Sequence, residues 1–250
     1  MADERQEGRV RFEGIDLGDS KLGRWARSLP AELGSRLQAI FRRRRVSAGQ
    51  VLAEEGKEPA EITYVLDGTL GMVKELPDGR KHIIGLLSRS DMFGHLFDET
   101  PAYRIEALSD GEVLTCPRRD FEALLSQSPP AEQALLIDIS DELDAALEWV
   151  MVLGGPKVVQ RVAAFLLALA RRQLRAGAEI RSSAEPLRLW LGIRRGDLAQ
   201  YLGSRQESLS RAFRELERDG ILRAHSLHDI EILNLPGLVE VAGLDLPAEG

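Results

Sequence analysis

Apolar positions along this chain switch repeatedly between helical and strand spacing, and each switch marks a different kind of structure. From Lys21 to Phe41 they recur at helical intervals, with Leu33, Leu37 and Ile40 on one side. From Gln50 to about Pro117 they fall into short runs: Val51–Leu52, Ile62–Leu66, Leu70–Val73, His82–Leu87, Tyr103–Leu108 and Val113–Cys116. Turn signals separate these runs at Glu55-Gly56, Asp67-Gly68, Pro77-Asp78-Gly79 and Asp110-Gly111, which predicts an antiparallel barrel or sandwich. Helical spacing returns in Phe121–Leu125 and, after Pro129-Pro130, in Ala131–Leu153. There Leu136, Ile139, Leu143, Ala146, Val150 and Leu153 are spaced 3, 4, 3, 4, 3. Such a seam predicts a coiled-coil contact with a second copy, while Leu135, Leu147 and Met151 are left to meet the sheet domain. Gly154-Gly155-Pro156 reads as a hinge, Lys157–Arg175 as an amphipathic helix, Ala176–Glu185 as a loop and Leu187–Ile193 as a strand.

The stretch that follows carries the candidate chemistry. Asp197–Leu202 is a short helix with Leu198, Tyr201 and Leu202 apolar, and Gly203 breaks it. Ser204 is expected to cap a second helix in which Leu209, Ala212, Phe213 and Leu216 share a face. The opposite face carries Glu207, Ser210, Arg211 and Arg214. A solvated polar face is the ordinary state of a surface helix. Here, however, an acceptor, a hydroxyl and a guanidinium fork stand together. Arg211 can donate twice to guanine O6 and N7, Glu207 can accept from cytosine N4, and Ser210 is small enough to sit against a thymine. Two such helices make a helix-turn-helix, whose second helix enters the DNA major groove. The apolar runs Ile221–His225 and Asp229–Leu233 then read as a two-stranded wing.

The segment LGSRQESLSRAFRELERDGIL resembles the recognition region of the CRP/FNR family of bacterial transcription regulators. Its Glu207, Ser210 and Arg211 match the FNR type, which implies inverted TTGA-type half-sites. The CRP type has Arg where this chain has Gln206. FNR-like sequences usually have Thr or Ser where it has Arg205, a side chain suited to phosphate. The segment DELDAALEWVMVLGG resembles the dimer helix of the FixK and FnrL branch, found in regulators of microaerobic and anaerobic metabolism. The resemblance runs from about Leu33 to Val239. It implies an α+β chain with a leader (1–20), a cyclic-nucleotide-binding-like β-roll (21–128), a dimerisation helix (129–154), a winged helix-turn-helix (155–240) and a tail (241–250). Double-stranded DNA, a second copy of the chain and RNA polymerase are the implied partners.

Charge changes this picture only when counted by region. The whole chain carries a net charge of -7, yet 156–233 holds 14 Lys and Arg against 9 Asp and Glu. A mildly basic C-terminal region on an acidic protein suits salt-dependent phosphate contacts. The start, MADERQEGRV, has no apolar core of a signal peptide, and the longest apolar run, Val162–Ala170, is far below the ~20 residues that span a bilayer. A cytoplasmic location without membrane contact is therefore expected. The charged, Gly-containing leader up to about Ser20 has no periodicity and is expected to be mobile or loosely packed. The basic run Arg42–Arg45 is a candidate nucleic-acid patch, but short charge runs are usually solvated, and the resemblance implies that it lies where the first strand begins, far from DNA.

The chemistry of other sensors is mostly missing. Cyclic-nucleotide binders of the family carry Gly-Glu-Leu and Arg-Ser; this chain has Gly94-His95-Leu96 and Pro101-Ala102, with no cationic head for a phosphate. One cysteine excludes an iron–sulfur cluster held by four within one chain. His95, in DMFGHL, lies close to where carbon-monoxide-sensing relatives keep a haem ligand, so it is a candidate sensor, although no cofactor is expected. Cys116 is either a small apolar strand residue or a redox sensor. His225, His228 and Asp229 are too few for a metal site by spacing. The chain has no GxxxxGK[ST], GxSxG or HExxH, so no enzyme is expected.

Overall fold

The short apolar runs fold into two antiparallel sheets in the computed structural model, which describes residues 11–17, 20–77, 79, 81–96, 100–175 and 187–243. The 176–185 loop, most of the leader and the tail beyond 243 lie outside the described residues. The chain divides into two compact units, Met1–Leu143 and Asp144–Gly250. The first contains β1 (Arg11–Phe12), β2 (Ile15–Asp16), α1 (Lys21–Ser28), α2 (Ala31–Ile40), β3 (Arg42–Val46), β4 (Val51–Ala53), β5 (Glu61–Asp67) and β6 (Leu70–Glu75). After these come β7 (Lys81–Leu87), β8 (Met92–Phe93), β9 (Arg104–Ala107), β10 (Gly111–Pro117), α3 (Arg118–Leu125) and the first part of α4 (Pro129–Leu153).

One sheet has the order β3-β10-β5-β8 and the other β4-β9-β6-β7. Side chains alternate across a strand, so β5 and β10 each serve two cores. From β5, Ile62, Tyr64 and Leu66 join Trp25, Leu37, Phe41 and Phe121 in a core shared with the helices. Val65 of the same strand joins Leu70, Leu87, Ile105 and Val113 in a second core. Burial on both faces is why Ile62–Leu66 reads as a continuous apolar run.

Three expectations change here. Residues 11–17 of the leader are not loose: β1 pairs with β2, and Phe12 is fully buried edge-on to Phe41 at 5.5 Å. The helix expected over Lys21–Phe41 is two helices, because Leu29 precedes Pro30 and takes an extended ψ of 152°. The basic run is not simply solvated. Arg43 and Arg45 bond Glu112, and Arg44 reaches Glu61 at 3.1 Å. Arg43 foremost, with Arg45, holds the Glu112 carboxyl below its ordinary range.

Helix α4 is fixed to the first unit by Trp25, whose indole N–H donates to Ala131 O at 3.1 Å, and by Lys21–Glu142 at 3.1 Å. Leu135 packs against the helical core, whereas Leu147 and Met151 are exposed and widen the apolar stripe. The seam residues Leu136, Ile139, Leu143, Val150 and Leu153 are 40–67% exposed, and Ala146 is exposed beside them. Among the described residues no helix is long and apolar enough to cross a membrane.

The second unit contains the end of α4, α5 (Val158–Arg175), β11 (Leu187–Trp190), α6 (Arg195–Tyr201), α7 (Gln206–Arg218), β12 (Leu222–Ala224), β13 (Asp229–Ile232) and α8 (Leu235–Ala242). The three strands form one antiparallel sheet, β11-β13-β12. Helix α5 buries Val162, Ala163 and Leu166 and packs on α7 and α8. Helix α8 was not anticipated from the sequence. Asn234 caps it through its side chain, accepting from Gly237 N at 2.9 Å, and a proline stands in its first turn.

Candidate nucleic-acid interface

Recognition by a helix needs one face locked and the other free, and α7 has both. Leu209, Ala212, Phe213 and Leu216 are buried against the unit. Arg205, Gln206, Glu207, Arg211 and Arg214 are exposed and Ser210 is half-buried. The structure thus brings all six predicted DNA-contacting residues to the start and outer face of one helix.

The turn before α7 is tight. Gly203 takes a φ of +58°, a left-handed conformation that favours glycine. The cap differs from expectation. Arg205, not Ser204, occupies the N-cap, and no side chain caps the helix. The Ser204 hydroxyl donates instead to Arg205 O at 3.0 Å. The helix begins one residue late for a serine cap, so the first amides of α7 stay open beside the Arg205 side chain. Open amides, a positive helix terminus and an arginine together suit a phosphate.

Two residues overlooked in the sequence set the geometry of this face. Ser208 accepts from Arg211 Nη2 at 3.3 Å, an i, i+3 contact legible only once the helix start is known. Arg195 places its guanidinium 3.5 Å above the Phe213 ring, joining α6 to α7. Burial lowers the Arg195 pKa to about 10, with Glu217 opposing the shift, so the cation persists at neutral pH.

The wing is held to the recognition helix where Ala224 N donates to Glu217 Oε1 at 3.0 Å. Within the wing the buried Glu231 meets His225 Nε2 at 3.0 Å and Arg223 at 3.3 Å. The His225 bond, then Arg223 and Arg188, hold the Glu231 carboxyl below its ordinary range. His228 Nδ1 lies 2.6 Å from Leu191 O. These partners occupy both wing histidines, and no group of three or more potential ligands for a metal occurs among the described residues.

The candidate sensor residues fall in different places. His95 lines a cavity of about 190 Å³ in the first unit, with Glu61, Thr63, Phe93, Pro101 and Tyr103. Among the described residues no Lys or Arg lines it. Its size is below the roughly 300–1,000 Å³ of pockets for drug-sized ligands. Cys116 is not on a surface. It is 1% exposed in β10, and burial pushes its thiol up to about 12, with Asp120 and Glu61 adding to the shift. A thiol held this far from its thiolate is a core residue, which counts against the redox reading. Ellman's reagent is expected to find no fast-reacting thiol in the folded protein and one after unfolding. Oxidant is expected to leave DNA binding of wild type and Cys116→Ser alike.

Comparison with known proteins agrees with this geometry. Residues 43–128 match the cyclic nucleotide-binding domain and residues 160–241 the Crp-like helix-turn-helix domain. The transcriptional activator protein FnrL of Cereibacter sphaeroides is 32% identical over 209 residues, covering 84% of each chain. The nitrogen fixation regulation protein FixK of Bradyrhizobium diazoefficiens is 27% identical over 195 residues, covering 78% of this chain and 80% of that one. Among solved structures, FixK2 from Bradyrhizobium japonicum superposes with a TM-score of 0.72 at 24% identity, covering 83% of this chain and all of that one. The two matched domains, the long helix joining them and the similarity to FnrL lead to one conclusion: the chain belongs to the CRP/FNR family of DNA-binding transcription regulators, in its FixK-like branch.

Proposed function

We propose that the chain acts as a homodimer that binds inverted TTGA-type half-sites and regulates genes of redox, anaerobic or microaerobic metabolism, contacting RNA polymerase from its promoter site. The observation that carries this reading is the free face of α7, where Glu207, Ser210 and Arg211 stand together on a helix whose other side is buried. In this reading Glu207 and Arg211 take base edges and Ser210 lies against a thymine. Gln206 and Arg214 flank them, and Arg205 holds a phosphate at the helix start. The exposed seam of α4 supplies the dimer contact. The names of FnrL, FixK and the fumarate and nitrate reduction regulatory proteins support the metabolic setting.

Selection of bound DNA from a random pool tests this, using purified protein in air without added ligand. The expected product is an inverted repeat with half-sites one helical turn apart, roughly 34 Å. Its affinity should fall steeply with salt. An asymmetric or unenriched pool would sink the reading.

The His95 cavity favours a second reading, a regulator whose DNA contact depends on a small molecule in the β-roll. An absorption spectrum of the purified protein separates the haem version, which carries a strong Soret band.

A further inference from the structure

We propose that Trp149 and Arg161 form a latch that fixes the helix-turn-helix to the end of α4, so that the two half-sites of a palindrome are met in one preset geometry. The proposal rests on the dimeric DNA-binding reading above. By sequence, Gly154-Gly155-Pro156 is a place for the chain to swing. A free swing there would force each recognition helix to search for its half-site separately.

The second unit closes this linker on two sides. Trp149, on the last turns of α4, lies flat on Tyr201, the final residue of α6, with ring centroids 4.3 Å apart and planes 8° apart. Phe165 of α5 stands edge-on to both rings, at 6.1 Å and 77° to Trp149 and at 6.2 Å and 81° to Tyr201. A stacked pair with a third ring at its edge is an arrangement that aromatic quadrupoles favour. Val152 is buried beside Trp149 on the same helix. Across the linker, Arg161 of α5 donates from Nη1 to Gly155 O at 2.7 Å and from Nε to Leu202 O at 2.9 Å. One planar guanidinium thus spans from the linker to the turn between α6 and α7, two of its fixed N–H donors each meeting a carbonyl.

Neither residue lies on the face that reads bases, so both are positioning residues. Their neighbours explain why they matter. Ala146, Val150 and Leu153 of the seam stand on the same final turns of α4 as Trp149. Any rotation that a partner helix imposes on those turns passes through the ring stack into α6. From there it reaches α7 through Arg195 and Phe213. A rigid path of this kind raises the effective concentration of the second recognition helix at the second half-site. It adds nothing to the affinity of one helix for one half-site.

That difference is the test. Full-length wild type, Trp149→Ala, Trp149→Phe and Arg161→Gln are titrated by fluorescence anisotropy against two duplexes of equal length. One carries the selected palindrome and the other has one half-site scrambled. Sedimentation velocity reports the oligomeric state of each protein. Trp149→Ala and Arg161→Gln are expected to remain dimers and to lose about ten-fold on the palindrome, with the one-sided duplex unchanged within about two-fold. Trp149→Phe keeps a ring on Tyr201 and should restore most of the palindrome affinity. Arg161→Gln removes no buried ring and stands as the independent arm if Trp149→Ala fails to fold. Equal losses on both duplexes, or no loss on either, overturn the latch. A wild type that does not prefer the palindrome overturns the dimeric reading, and the latch with it.

Discussion

Leu143→Asp is expected to convert the dimer into a monomer and to lower affinity for a palindromic site by roughly a hundred-fold or more, the scale of losing one of two linked contacts. Leu143 stands mid-seam on α4 and is 59% exposed in the single chain. With Leu136, Ile139, Val150 and Leu153 it forms an apolar strip that a lone soluble protein rarely leaves open. Burying one such side chain contributes about 1.5–3 kcal/mol, and in the proposed dimer a twofold would place each residue in the interface twice. Aspartate removes that contribution and puts two carboxylates near the dyad with no cation of the seam to meet them. Sedimentation velocity gives the assembly state and anisotropy the DNA affinity. A variant that stays dimeric at wild-type strength would show that the strip is not the interface.

The second large effect is expected at Arg211. A bidentate contact to guanine contributes about 1–3 kcal/mol of discrimination, and a palindrome counts it twice. Arg211→Ala should therefore weaken the selected site by about 2–6 kcal/mol while leaving random DNA nearly untouched. Preference should relax at one base pair in each half-site. Lysine should not restore it, because the planar fork that Ser208 orients is absent from an ammonium. Arg205→Ala is the contrast: loss shared by all sequences, with a salt slope smaller by about one per phosphate released. Uniform loss from Arg211→Ala would reassign that residue to the phosphate backbone. Competition binding against scrambled duplexes at several salt concentrations measures both.

Much of this was legible because the signals were local. The i, i+3, i+4, i+7 set at Leu209–Leu216 needs only helix geometry, and it is buried as its spacing requires. Six strands of the β-roll were legible from their turns, but the two-residue β8 was not. What escaped depended on partners far away in the chain. Phe12 is a single ring in a polar stretch without periodicity, and only its contact with Phe41 makes it a core residue. The arginines of β3 have carboxylates at Glu61 and Glu112, which no window around Arg42–Arg45 contains. Ser204 resembles a cap by type, yet the cap falls on Arg205, because residue identity constrains a helix start only to within a position or two. In α8 the capping asparagine and the first-turn proline were present, but Pro and Gly in so short a stretch read equally well as loop.

The β-roll cavity has Glu61 but no Lys or Arg in its lining among the described residues, which bears on how fast a cell could use this regulator. A nucleotide second messenger brings a phosphate, and the described lining of this pocket offers it a carboxylate rather than a cationic grip. If no ligand of that pocket sets DNA binding, promoter occupancy is expected to follow copy number. Switching off would then wait on proteolysis and on dilution by growth, which gives the genes under its control a memory about as long as a generation.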